Sequence, residues 1–169
     1  MIRPQGDARQ DRREQKLFGA AAMTAVRLLG PGDAAVLDRV AEGVFDNPID
    51  PRWRAEFFAD PRHHLAVAID GDLVVGMASA VHYVHPDKPP ELRVNEVGVA
   101  PAYRSRGIGR ALLEALLQRG KELGCAEAWL GTEPENAAAR RLYLAAGGAE
   151  DPMVMFTFRL KEGHPCSRH

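Results

Sequence analysis

The residues best suited to chemistry fall in two short runs. The first is Arg104-Ser105-Arg106-Gly107-Ile108-Gly109-Arg110, which follows the β-branched stretch Val97-Gly98-Val99 and Pro101 and passes without a break into a helical pattern. A helix start of this kind favours anions, because its first backbone N–H groups lack internal acceptors and carry the positive end of the dipole. Gly107 and Gly109 let a phosphate approach the backbone, and Arg104, Arg106 and Arg110 add charge around it, so the spacing predicts a pyrophosphate cradle. An ordinary helix start containing two glycines is the alternative. The loop has neither the Lys-Ser/Thr pair of the nucleotide P-loop nor the third glycine of a dinucleotide fingerprint. The second run begins Asn136-Ala137-Ala138-Ala139-Arg140-Arg141-Leu142-Tyr143 and ends at Gly147-Gly148. Asn136 and Tyr143 stand two helical turns apart, so their side chains emerge on nearly one face, kept shallow by the alanines between them.

The elements that must position these runs follow from periodicity and punctuation. Residues 24–29 have strand composition, and Gly30-Pro31-Gly32-Asp33 then predicts a helix start with apolar spacing through about residue 45. Asp46-Asn47-Pro48-Ile49-Asp50-Pro51 is a stiff acidic connector to a second helix over about 52–59, with Trp53, Phe57 and Phe58 expected to pack inward. Leu65–Ile69 and Leu73–Val84 flank an Asp-Gly turn and predict a hairpin, with Gly76 as a candidate bulge. In the next strand, simple alternation puts Leu92, Val94 and Glu96 on one face, and Gly98 allows a bulge near its end. A long helix over 107–123, a strand over 126–132, a helix over 136–146 and a last strand over 154–160 complete the order β-α-α-β-β-β-α-β-α-β.

Composition bounds what such a chain does. The 169 residues suit one domain, read as 23–161, between a charged extension over 1–22 expected to be disordered and a flexible tail over 162–169. With 22 Lys plus Arg against 23 Asp plus Glu, no global basic field points to nucleic acid. No apolar run approaches the ~20 residues of a membrane span, and no signal peptide is read at the N-terminus. Cys125 and Cys166, far apart and outside any ligand spacing, indicate neither a disulfide framework nor a metal site. The expected setting is cytoplasmic.

Arg104-x-x-Gly107-x-Gly109 and the Asn136–Gly148 run together resemble the two hallmarks of the GNAT N-acetyltransferase superfamily, over about residues 92–148. The resemblance implies an α/β fold with a mixed, twisted sheet of about six to seven strands and helices on both faces. The fourth and fifth strands would splay to admit the acetyl-pantetheine arm of acetyl-coenzyme A, with no metal. Carried over by position, backbone amides from Arg106 through Gly107, Ile108 and Gly109 to Arg110 would hold the pyrophosphate, in a cofactor-binding loop that begins at Arg104 and Ser105. Val97, Gly98 and Val99 would bind the pantetheine or the thioester oxygen, and Asn136 would touch the arm. Glu96 is then the candidate base and Tyr143 the candidate acid for the departing thiolate. A carboxylate paired at the cleft rim and a core-packed tyrosine remain the plainer alternatives. Without a Ser-His-Asp or Cys-His arrangement, direct transfer in a ternary complex is expected.

The acceptor is read from the acids. Val44-Phe45-Asp46-Asn47-Pro48, His82-Tyr83, Asn95-Glu96 and Glu150-Asp151 look similar to aminoglycoside 3-N-acetyltransferases. Asp46, Asp50, Glu96, Glu133, Glu135, Glu150 and Asp151 could surround a polycationic acceptor, with His82 and Tyr83 beside them. Capping by Asp46 and Asp50 and plain solvation of the loop acids are the alternatives. A peptide N-terminus or polyamine is the runner-up acceptor, a catalytically inactive coenzyme A-binding module the runner-up class, and a homodimer remains open.

Overall fold

The computed structural model describes residues 24–158 and 160. The expected extension over 1–22, the domain limits at 23 and 161 and the tail over 162–169 therefore lie outside the described residues. Strand β1 (Ala25–Leu29) leads into a 3₁₀ segment (Pro31–Asp38), helix α1 (Pro51–Ala59), the hairpin β2 (His63–Asp70) and β3 (Leu73–Tyr83), and then β4 (Glu91–Val99). Helix α2 (Ile108–Glu122), β5 (Glu127–Trp129) and α3 (Ala137–Ala145) follow. One sheet runs in the order β1-β2-β3-β4-β5, antiparallel except for the parallel β4–β5 pair.

Apolar side chains cover both faces of this sheet. Leu112 and Leu116 of α2 pack on Ala66, Ala78, Leu92 and Val94, while Leu37 and Val44 join Leu65, Val67 and Met77 on the opposite side. Helices on both faces were expected, and they lie as the amphipathic pattern of α2 requires. Among the described residues, no helix is long and apolar enough to cross a membrane.

Three elements differ from the sequence expectation. The first expected helix is a 3₁₀ segment ending at Asp38, because the chain beyond it is drawn onto the sheet: Val74 N–H donates to Arg39 O at 2.9 Å and Ala41 N–H to Val74 O at 2.8 Å. The bulge in β3 is at Val75, one residue before Gly76; Gly76 is instead the spot where Leu112 and Ile108 of α2 come within 3.1–3.2 Å of where a Cβ would stand. The apolar run over 154–160 forms no strand in its described residues, so the described sheet has five strands and not six or seven. Strand composition alone does not make a ladder, and β5 is only three residues long.

Candidate functional site

Strand β4 organises the site. Its pairing with β5 covers only Glu91–Arg93 against Glu127–Trp129, after which the two strands part and leave the β5 side of Val94–Val99 unpaired among the described residues. This is the splay that the resemblance implied. On its other side, the register with β3 slips between Ser79 and Ala80, which pair with Glu96 and Val94 and leave Asn95 as the extra residue.

The bulge at Asn95 reverses the expected facing of Glu96. Val94 packs into the core beneath α2, and beyond the bulge it is Val97 and Val99 that approach this side, within 3.9 Å and 3.8 Å of a Cβ built on Gly109. Glu96 is thereby turned to the opposite face, where it lines a cavity of about 360 Å³ with Ser79 and Met77 of β3. Gly98 makes no bulge. It admits the backbone of Val44, whose carbonyl oxygen would stand 2.1 Å from a Cβ there. That approach seats the Phe45–Asp50 loop beside Glu96, so Asp46, Asp50 and Glu96 share one cavity.

Each acid has its own setting. Asp50 caps α1 by accepting from Arg52 N at 2.8 Å and also pairs with the Arg52 guanidinium, whose hydrogen bond holds its carboxyl below the usual range. Asp50 is thus a helix cap, as the capping alternative has it, and also one of the residues lining the cavity. Glu150 is gripped by Arg140 through two bonds of 2.7 and 2.9 Å, which lowers its pKa, and Asp151, Glu133 and Glu135 are exposed. His82 lies outside the cavity lining: its ring meets buried His64, Nδ1 to Nε2, at 2.9 Å. Tyr83 is outside it too, held at the end of β3 by Glu91 and Trp129 at 2.6 and 2.8 Å.

At the other end of β4 the loop tightens into α2. Ser105 and Gly107 take left-handed backbone angles, φ 61° and 79°, and Gly107 caps the helix without a side chain. The first amides of α2 thus have no side-chain cap. Arg104 donates to Val99 O at 3.0 Å, Arg106 donates to Ala102 O at 2.8 Å and stacks over Tyr103, and Arg110 pairs with Glu114. Gly109 serves packing, with Leu142 of α3 at 3.4 Å from a built Cβ and the two valines just beyond. A second cavity of about 270 Å³ lies against Arg106, Gly107, Ile108 and Ala111. An uncapped helix start ringed by arginines fits a pyrophosphate.

Helix α3 closes the arrangement. Asn136 caps it through Oδ1, accepting from Ala139 N at 3.1 Å, which leaves its NH₂ as the group able to donate to a ligand. Tyr143 is half-buried against the α2-side core, and burial, with the charge of Glu133, pushes its phenol above the ordinary value. It is therefore kept protonated, as a proton donor must be.

Sequence reasoning missed the aromatic wall of the acidic cavity. Phe57 and Phe58 pack inward as expected, but Trp53, expected beside them, is 67% exposed and lines the cavity with Phe45. Its signal was present: it occupies the first turn of a helix that is capped by Asp50-Pro51 at the end of the acidic loop.

The open β4 edge thus lies between an uncapped arginine-rich helix start and a cavity lined by carboxylates. The acetyltransferase (GNAT) family matches residues 35–147, and the chain belongs to it. It is 38% identical over 135 residues to a mycothiol acetyltransferase of Nocardia farcinica, covering 71% of this chain and 43% of that one. It thus spans less than half the length of that relative. An aminoglycoside N(6′)-acetyltransferase type 1 of Salmonella typhimurium is 31% identical over 99 residues, 55% of this chain and 68% of that protein. The structure of AAC(6′)-Iy in complex with a bisubstrate analogue, CoA-S-monomethyl-acetylneamine, superposes with a TM-score of 0.68 at 22% identity, covering 80% of this chain and 97% of that one.

Proposed function

We propose that the chain transfers the acetyl group of acetyl-coenzyme A to a primary amine seated in the Asp46–Asp50–Glu96 cavity, by direct attack in a ternary complex. The observation that carries this is the Asn95 bulge, which sends consecutive residues of the open strand to two sides: Glu96 to the acidic cavity, Val97 towards the helix start. The phosphates of the donor would lie at the amides from Arg106 to Arg110, with Arg104 and Ser105 shaping the loop, and its pantetheine arm along Val97–Val99 and the Asn136 amide. The thioester carbon would then sit at the bulge, within reach of an amine on the other side.

Amines arrive protonated at neutral pH, so Glu96 takes one proton, directly or through water, and frees the lone pair with which the nitrogen attacks. A backbone N–H at Gly98 or Val99 stabilises the oxygen as charge develops. As the C–S bond breaks, Tyr143 gives its proton to the departing thiolate and the second nitrogen proton restores the phenol, so the products are an N-acetylamine, free coenzyme A and the one proton taken up by Glu96.

The acceptor in this reading is an aminoglycoside-type amino sugar. Three carboxylates around one cavity suit several ammonium groups, and the 31%-identical relative is named for that class. Attack by the 3-amino group rests on the likeness of residues 44–48, 82–83, 95–96 and 150–151; the named relative carries the 6′ designation. Glu133, Glu135 and Asp151 would add long-range attraction. Thiol release from acetyl-coenzyme A against amino sugars, polyamines and peptides tests the class, and NMR of the product tests the position. Turnover with peptides alone removes the amino-sugar reading.

A further inference from the structure

The acidic cavity also has a strongly apolar lining. Phe57 and Phe58 line the cavity too, but they are half-buried and packed against the core cluster that holds Leu65 and Met77, so each presents only part of its ring. Trp53 differs from them: its indole lines the cavity while 67% exposed, the most exposed aromatic side chain of that wall. It is held on a rigid mount. Asp50 caps the helix one turn earlier, Pro51 fixes its first residue, and the neighbouring Arg54 ties α1 to the 3₁₀ segment through Asp38 at 2.6 Å. A large, pre-positioned aromatic face is thus presented to solvent beside Asp46, Asp50 and Glu96.

A pocket lined by both an aromatic platform and carboxylates offers two kinds of contact, and its ligand must offer both in return. A linear polyamine offers charge without a face, and an apolar amine offers a face with a single charge. An amino sugar has an apolar face of ring C–H groups, with ammonium and hydroxyl groups around its edge. We infer that Trp53 is the residue that selects a ring-bodied amine, by stacking under the sugar ring so that its ammonium groups meet the carboxylates. The inference rests on the proposed acetyl transfer at this cavity and specifies what the acceptor presents to it. Losing the platform is expected to weaken the acceptor roughly ten-fold, about 1.4 kcal/mol, within the range of stacking and cation–π contacts.

The test compares kanamycin with spermidine as acceptors for the full chain and for Trp53→Ala and Trp53→Phe. Trp53→Ala is expected to raise KM for kanamycin about ten-fold with little change in kcat, to raise KM for spermidine far less, and Trp53→Phe is expected to restore most of the loss. Equal effects on both acceptors, or none on kanamycin, overturn the inference. Fluorescence gives a reading independent of turnover: the signal of the unsubstituted chain minus that of Trp53→Ala is expected to change on kanamycin addition. If neither amine is acetylated while coenzyme A binds by calorimetry, the proposed transfer fails; the fluorescence change then decides the platform by itself, and its absence overturns it.

Discussion

Replacing Gly98 by alanine puts a methyl carbon 2.1 Å from the Val44 carbonyl oxygen and 3.2 Å from its carbon, where at least about 3 Å is needed from the oxygen. Both partners are backbone, so no side chain can swing away, and β4 and the Val44 segment must separate by about 1 Å. Overpacking of this size costs about 1–3 kcal/mol. For a chain of this length each kilocalorie lowers Tm by about 2–4 °C, so the expected fall is roughly 2–12 °C. The same shift carries Asp46 and Asp50 away from Glu96, and a misplacement of about 1 Å can cost on the order of 100-fold in rate. Circular dichroism on heating and thiol release from acetyl-coenzyme A read the two effects. Gly76→Ala is the comparison, because its new methyl meets the movable side-chain ends of Leu112 and Ile108 as well as Gly98 O, all at 3.1–3.2 Å. A Gly98→Ala protein with an unchanged Tm and unchanged kcat/KM refutes the seating of the acidic loop on β4.

Glu96→Gln is expected to lower kcat/KM by about 10²–10⁴ near neutral pH and by less at alkaline pH, where free amine is already present; an unchanged pH–rate profile removes the base. Tyr143→Phe is expected to lower kcat by about 100-fold with KM for acetyl-coenzyme A nearly constant. Because burial raises the Tyr143 phenol, the unsubstituted chain should show no loss of the acid below pH 10, and a decline at lower pH that Tyr143→Phe abolishes contradicts the assignment. His64 is buried against His82, which with burial pushes its pKa down to about 4, from an ordinary 6.5. The folded chain thus prefers the neutral ring, and its contribution is complete above pH 6.5 and lost as pH falls towards 4. Urea unfolding should show about 2 kcal/mol of this lost between pH 7.5 and 5. A His64→Gln chain with the same pH dependence refutes it.

Features governed by local chemistry were legible in the sequence. Asp50-Pro51 announced α1, and the runs at Gly107 and Asn136 announced the starts of α2 and α3; each acts within a few residues of itself. What depended on distant backbone was hidden. The facing of Glu96 is set by a slip of register against Ser79 and Ala80, and alternation within β4 alone points it to the wrong side. The role of Gly98 depends on Val44, more than fifty residues earlier, and that of Gly109 on Leu142. His82 seemed to belong with the acids, yet its partner is His64 on the adjacent strand. The run over 154–160 has the composition of a strand without a ladder partner, and the stretch after Asp38 has helical spacing that the bridge to Val74 overrides.

The central claim is transfer of an acetyl group onto an amine in the cavity that Glu96 shares with Asp46 and Asp50. Its most direct measurement combines acetyl-coenzyme A with kanamycin and follows free thiol and the mass of the acceptor together, for the unsubstituted chain and for Glu96→Gln. The account predicts one acetyl group gained per thiol released, with both signals falling together in the variant. Thiol released without an acetylated amine, or full acetylation by Glu96→Gln across the pH range, contradicts it.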